Sequence, residues 1–554
     1  MNIRESFKKN SFIWADLLIT LFILVVLVKY DYYANLAPDS ILIIIQLGLF
    51  WFISRLLFFL FPPMSHYASF LVLAAGLVEA IWGLGQLYGY LPSKHVLFKT
   101  TGSFLNSGPY GGFIALILPL VLHYWLYYRE KNKLLGYIFL TMGIICLLVF
   151  PATLSRTAWI AATVGCILVV VFDTKVVIKM KISWKRHRNT IILCSVIFSL
   201  LIIGISYGSF HFKKDSANGR LFIWKITTLA IQETSLKGVG LGGFPASYAK
   251  AQIDFFKSGQ GTETEKLVAG SPEYAFNEYL KILLEQGLAG GILFLVLTIL
   301  IIYIGIKNRR TGSAGSFLTL SVFAFASYPY YLWEFLVVWI LLGTICVSTK
   351  SNSLYDKLSA IPKRKIFLNG GLCLCVLLTL SFISLKHQQP YRQANREWLK
   401  LRPLYTIKAY QNVIEDYKRL YSILNYDQKF VFEYAIALNA TKQYENADSV
   451  LSRGLQISCD PMFYNVKGRN YHEMGQFDKA EDCYINSTYL LPERIYPYYL
   501  LTKLYADSAN FQPVKMQLAA KAVLAKEPKV HSMAINEMRE EVRKILKEKE
   551  AMDD

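Results

Sequence analysis

The stretch Gly287-Leu288-Ala289-Gly290-Gly291-Ile292-Leu293-Phe294-Leu295-Val296-Leu297-Thr298-Ile299-Leu300-Ile301-Ile302-Tyr303-Ile304-Gly305-Ile306 carries no charge, and Lys307, Arg309 and Arg310 follow at once. As a helix it would rise about 30 Å, the thickness of a bilayer's hydrocarbon core. Comparable runs begin near Phe12, Ile41, Ala68, Gly111, Leu134, Thr157, Thr190, Ser316, Tyr331 and Phe367. The chain is therefore expected to be an all-α polytopic membrane protein with about eleven spans. Its composition agrees: 54% hydrophobic and 15% aromatic residues, with a mean hydropathy of +0.33, are too apolar for a soluble chain of 554 residues. The run from Phe12 to Val28 follows Arg4, Lys8 and Lys9 and is too long for a signal-peptide core, so it reads as a first, uncleaved helix.

Charge orients these spans. The net charge is +20, yet residues 385–554 are nearly balanced in sign, so the excess sits on short loops of the membrane half. The cations fall on alternate loops: Arg4 to Lys9, Arg129 to Lys133, Lys175 to Arg188, Lys307 to Arg310, and Lys350 to Lys365. The positive-inside rule makes those loops, and the N-terminus, cytoplasmic. The loops at Lys94 to Tyr110, Pro151 to Arg156, Tyr207 to Glu278 and Ser327 to Tyr331 then face outward, as does the tail. Such a charge distribution argues against nucleic-acid binding. Six cysteines (Cys146, Cys166, Cys194, Cys346, Cys373 and Cys375) lie in apolar runs, and Cys459 and Cys483 lie in the tail, with neither a disulfide framework nor zinc spacing.

Two domains are expected: a transmembrane unit over residues 1–384, with a long outward loop at about 207–278, and a soluble helical unit over 385–554. From Lys386 the pattern shows a period of roughly 34 residues. Its clearest unit, Gly468, Tyr471, Gly475, Phe477, Ala480, Tyr484 and Pro492, resembles a tetratricopeptide repeat. Weaker units hold Ala435, Leu438, Tyr444 and Ala447 before it and Tyr505, Phe511, Leu518 and Pro528 after it, with a degenerate pair at 391–424. Stacked units would form a superhelix whose concave face binds an extended partner or which braces the membrane unit.

Chemistry is expected in the outward loops. Arg156, in Leu154-Ser155-Arg156-Thr157, ends a span, and Arg220, in Asn218-Gly219-Arg220-Leu221-Phe222-Ile223-Trp224, opens a helix on the same side. A guanidinium at that depth either snorkels to headgroups or lines a cavity. Two facing one cavity suit a lipid diphosphate, since each planar fork grips phosphate oxygens and keeps its charge. Gly238-Val239-Gly240-Leu241-Gly242-Gly243-Phe244 lacks the parallel sheet of a dinucleotide site and reads as a tight turn approaching substrate or another helix. Gly287 and Gly290 read as a close-packing stripe. Glu79 is expected to pair with Arg55, and Glu263 and Glu265 to lie solvated in a flexible segment rather than hold a metal.

In order along the chain stand Trp82, Gly83 and Gln86; Thr101 to Phe104 with Asn106; Ser155, Arg156 and Trp159; Gly219, Arg220 and Trp224; Gly238 to Phe244; and Asn277 with Gly287 and Gly290. Over about residues 70–345 this set resembles the O-antigen ligase and polymerase superfamily. The resemblance implies a glycosyltransferase C-like helix bundle in a bacterial inner membrane, with the tail in the periplasm. It also implies transfer of a glycan from undecaprenyl diphosphate to an acceptor hydroxyl without metal or cofactor. Arg156 and Arg220 would hold the diphosphate, and Asn106, Trp224 and Asn277 would line the substrate. The acceptor, whether lipid A core, a growing polysaccharide or a protein at the repeat domain, stays open. One position departs from the family: its ligases carry histidine, the presumed base, where this chain has Phe276. Glu278 is then the preferred catalytic base and Glu273 the alternative. Two other functional classes are a lipid-linked glycan transporter, which would show matched halves that are not visible here, and a non-catalytic scaffold.

Overall fold

The computed structural model describes residues 3–29, 40–174, 214–234, 237–348, 375, 379, 381–528 and 531–553. The expected spans near Thr190 and Phe367, the cationic stretches 175–188 and 350–365, Cys194 and Cys373 lie outside the described residues. Among the described residues all regular structure is helical. Six of these helices are long and apolar enough to cross a bilayer, as befits a multi-pass membrane protein.

The membrane helices begin with α1 (Ile3–Val28), α2 (Ser40–Leu60), α3 (Met64–Leu87), α4 (Ser107–Tyr128), α5 (Lys133–Val149) and α6 (Arg156–Asp173). Next come α7 (Lys214–Glu233), α8 (Phe244–Lys257) and α9 (Glu263–Val268), then α10 (Glu278–Lys307), α11 (Thr311–Ala324) and α12 (Trp333–Val347). At 14 and 15 residues, α11 and α12 are shorter than a full span. The centre is α4, buried along most of its length and packed by α3, α5, α6 and α11. Small residues permit that closeness where lipid offers no hydrophobic drive for helices to associate. A Cβ at Gly112 would collide with Phe323, and one at Gly165 with Thr319 and the Gly315 backbone.

The pairing expected for Glu79 is not formed. Arg55 Nε lies 3.1 Å from Asp16 Oδ1 on α1 and Nη2 lies 3.2 Å from Oδ2, while Trp51 Nε1 donates to Asp16 Oδ1 at 2.8 Å. Glu79 accepts instead from the Ser103 backbone N–H at 2.9 Å, in the loop that leads into α4. A carboxylate on α1 could not be chosen over one on α3 from sequence spacing, because helix adjacency is a tertiary property.

The tail forms α13 (Gln389–Thr406), α14 (Ile414–Leu424), α15 (Gln428–Ala440), α16 (Tyr444–Ile457), α17 (Met462–Glu473), α18 (Phe477–Leu490), α19 (Tyr496–Ala506), α20 (Pro513–Ala525) and α21 (Met533–Asp553). Successive helices pack in pairs, α15 on α16, α17 on α18 and α19 on α20. Gly468 lies where a Cβ would strike the Tyr484 ring. The tail grips the segment between α7 and α10. Helix α8 packs on α16 and α18, and the buried Gln252 amide donates to the carbonyls of Gly270, at 3.1 Å, and Leu490. Cys459 Sγ donates to the Pro272 carbonyl at 3.1 Å, and Gln428 Nε2 donates to Glu273 Oε1 at 2.7 Å.

Candidate functional site

The described part of the stretch 207–278, residues 214–234 and 237–278, is largely helical. Near the start of α7, Arg220 turns toward the first turn of α6, where its Nη1 donates to the Thr157 hydroxyl at 3.3 Å and to the Ala326 carbonyl at 2.8 Å. Arg156 is the first residue of α6, entered through a left-handed Leu154 (φ 50°). The two arginines are thus brought near each other at the start of α6. Burial, and then the neighbouring charge of Arg156, hold the Arg220 guanidinium below the ordinary arginine range. Arginine's affinity for its proton is so high that it stays charged nonetheless. Among the described residues no carboxylate forms an ion pair with Arg220.

Aromatic side chains gather beside Arg220. Phe276 sits with its ring centroid 5.2 Å from the Arg220 guanidinium. Its ring meets Tyr328 edge-on at 5.4 Å, and Tyr328 stacks on Tyr274 at 4.3 Å and 7°. Burial raises the Tyr328 phenol above its ordinary value while Arg220 pulls the other way, so the ring stays neutral. Phe276 is left-handed (φ 50°), an unfavourable conformation for a non-glycine residue. Two residues expected to line the substrate flank that strained point. Trp224 Nε1 donates to the Phe276 carbonyl at 3.3 Å. Asn277 caps α10, its Oδ1 accepting from the backbone N–H groups of Tyr279 and Leu280, each at 3.1 Å. Asn106 caps α4 in the same way, accepting from Gly108 N–H at 3.0 Å. Their side-chain oxygens are therefore engaged by their own helices.

Glu278, the expected base, is buried at the first position of α10 and accepts from the Tyr330 N–H at 3.1 Å. The turn between α11 and α12 thus joins the two groups: its Ala326 carbonyl serves Arg220 and its Tyr330 amide serves Glu278. Glu273, the alternative, is held by Gln428.

Gly287 departs from the expected packing stripe. With φ 69° and ψ −175° it breaks α10, separating the polar start from the apolar run. A break strands the carbonyls just before it. The glycine-rich turn supplies their donors: Val239 N–H meets the Leu284 carbonyl at 3.0 Å and Gly240 N–H the Glu285 carbonyl at 2.9 Å. Gly242 N–H adds a bond to Glu285 Oε1 at 3.1 Å. Gly238 has φ 85°, and a Cβ there would lie 2.5 Å from the Gly287 nitrogen. The glycines thus approach another helix, one of the two uses read from the sequence. The Glu263–Glu265 segment is a helix, not a flexible strand of chain: Thr262 and Glu265 form a capping box, Lys266 pairs with Glu263 at 2.7 Å and Lys225 with Glu265 at 2.6 Å. Among the described residues no group of three His, Cys, Asp or Glu side chains is placed to hold a metal.

Thr157, the Ala326 carbonyl and Tyr328 were not anticipated, because nothing in their local pattern marks them. The one cue was that Ser327 to Tyr331 and Pro151 to Arg156 shared the outward side.

Residues 144–295, which include Arg156, Arg220, Asn277 and Glu278, match the family described as O-antigen ligase. This match, over less than half of the chain, supports a relationship to the O-antigen ligase superfamily. Over 281 residues the chain is 28% identical to a ComP-specific O-oligosaccharyltransferase of Acinetobacter baylyi, covering 48% of each chain. It therefore spans about half of that relative's length. No solved structure matches it. Asn106 lies before the matched segment and the helical tail after it.

Proposed function

We propose that this protein transfers a glycan from undecaprenyl diphosphate to an acceptor hydroxyl at the periplasmic face of a bacterial inner membrane. Support comes first from Arg220, which feels the charge of Arg156 and, among the described residues, donates to neutral acceptors, Thr157 and Ala326. Neutral partners orient a guanidinium without cancelling its charge, so the field remains available to a diphosphate. As the acceptor oxygen attacks the anomeric carbon, charge grows on the departing diphosphate, and fixed cations there favour the transition state over the ground state. They take the part a divalent metal plays in other transferases, so transfer is proposed to be metal-independent. Glu278 is proposed as the base in place of the family's histidine, and residues 385–554 as a periplasmic repeat domain of tetratricopeptide type, with the membrane unit ending at 384.

The relative named as an O-oligosaccharyltransferase, together with the docking of the tail on the loop, favours a second reading in which the acceptor hydroxyl belongs to a protein. The deciding experiment uses the full chain in nanodiscs with a lipid-linked glycan. Bond transfer that disappears in Arg220→Ala, with thermal unfolding unchanged, supports the reading; full transfer in that variant removes it. Movement of the lipid without transfer means a transporter, and neither activity means a scaffold.

A further inference from the structure

A cavity of about 790 Å³ opens between α1, α2, α10 and α12, and neither Arg156 nor Arg220 lines it. One wall is hydrocarbon, formed by Phe22 and Ile23 of α1, Ile44 and Leu47 of α2, and Leu336 and Ile340 of α12. The facing wall is the polar start of α10, where Glu278, Lys281, Glu285 and Gln286 lie on one helical face. The two carboxylates already have partners in the fold: Tyr330 N–H for Glu278, and Gly242 N–H for Glu285, whose other oxygen is 3.9 Å from Lys281. Gln286 has none. It is 2% exposed, and neither its amide oxygen nor its amide nitrogen makes a hydrogen bond. On the same cavity the Tyr330 hydroxyl and Trp339 indole N–H approach each other without a well-formed bond. Buried polar groups left unmet are costly, so the site is poorly satisfied as it stands.

We propose that this cavity binds an amphiphile with an apolar chain and a neutral, hydroxyl-rich head such as a sugar. An amide with both ends unmet needs a ligand that accepts from its nitrogen and donates to its oxygen, and a hydroxyl does both. A phosphate head only accepts, and it would also face Glu273, Glu278, Glu285 and Asp427, which outnumber the lining cations Lys281 and Lys429. The hydrocarbon wall selects an alkyl chain over a polar peptide. Glu278 also lines the small gap beneath Phe276 and Tyr328, so a head bound at Gln286 lies on the side of Glu278 remote from the guanidiniums. As the berth of the hydroxyl-bearing acceptor the site rests on the transfer reading above; as a binding site it stands without it.

The test uses the full chain in nanodiscs and an alkyl glucoside bearing a photo-reactive group at the chain end, with labelled peptides located by mass spectrometry. Labelling is expected on peptides of α1 and α2. Excess dodecyl maltoside should displace it and dodecyl phosphate should not, Gln286→Leu should lower it about tenfold, and Arg220→Ala should leave it unchanged. Ile44→Trp, which fills the hydrocarbon wall without touching Gln286, should lower it as well. Equal displacement by dodecyl phosphate, or labelling that neither substitution changes, overturns the site. Unspecific labelling with transfer intact would end this inference alone, whereas specific labelling without transfer would end the enzymatic reading alone.

Discussion

Two half-buried or buried arginines in this molecule are held in opposite ways. Between α1 and α2, Arg55 meets both oxygens of Asp16, and Trp51 bonds the same carboxylate. Beside α6, Arg220 meets a hydroxyl, a carbonyl and an aromatic ring, with Arg156 as its nearest charged influence. The first arrangement neutralises a charge so that helices can pack in lipid. The second keeps a charge uncancelled, at a cost in desolvation and in repulsion between like charges, and that is intelligible where an anion is to be received. The two arginines thus differ in the charge of their partners rather than in their depth.

The sharpest break of that contrast is to make the second arginine resemble the first. Thr157→Asp places a carboxylate where Arg220 now finds a hydroxyl, and transfer should fall as far as in Arg220→Ala, about 10²- to 10³-fold in kcat. Arg220→Lys, which keeps the charge and loses the fork, should fall between these and the parent. Proton removal is tested next. Glu278→Gln can still accept from Tyr330 but cannot take a proton, so kcat should drop about 10²-fold or more. Adding Phe276→His should recover at least tenfold of it. The new imidazole would sit beside Arg220, which favours its neutral form and lowers its pKa below about 6.5; the recovered rate should therefore rise as pH climbs through 5 to 7 and then level. Recovery absent at every pH would mean that the proton leaves by another route.

Asp16→Ala addresses the other half of the comparison. With Asp16 a quarter exposed, unpairing Arg55 should cost about 1–3 kcal/mol of stability, less than for a fully buried pair. The effect is read as a lower unfolding temperature in detergent, with transfer per folded molecule unchanged. The smallest effect is expected from Gln252→Leu, which removes one buried grip of the tail on the loop. A loss of about 1 kcal/mol should show as faster proteolysis between α8 and the tail, with transfer altered less than twofold.

Much of this was legible in the residues. The uncharged run before Lys307 made α10 a membrane helix, and Arg156 and Arg220 stood out because guanidiniums are costly at the edge of lipid. Gly238, Gly240 and Gly242 announced left-handed backbone. The rest required neighbours. Asn106 and Asn277 carried the same chemistry whether they faced substrate or capped a helix, and only the following backbone amides showed them to be caps. Gly287 could as well have been a small packing residue until its φ was known. Glu79 was the expected partner of Arg55 and Asp16 is the one found, because the chain does not spell out the order in space of the helices that carry them.

The sequence by itself determined that this is a membrane-embedded helical protein with fixed cations at one end of its spans, because hydropathy, run length and the cost of a charge in lipid are local properties. Only the tertiary structure decided which cation is cancelled and which is left to act, that a broken α10 is completed by a distant glycine turn, and that the tail clasps the segment between α7 and α10. Those outcomes depend on which partner lies within about 3 Å, the reach of a hydrogen bond, and residues 63 and 106 positions apart, as Arg220 is from Thr157 and Ala326, come within that reach only when the helices have packed.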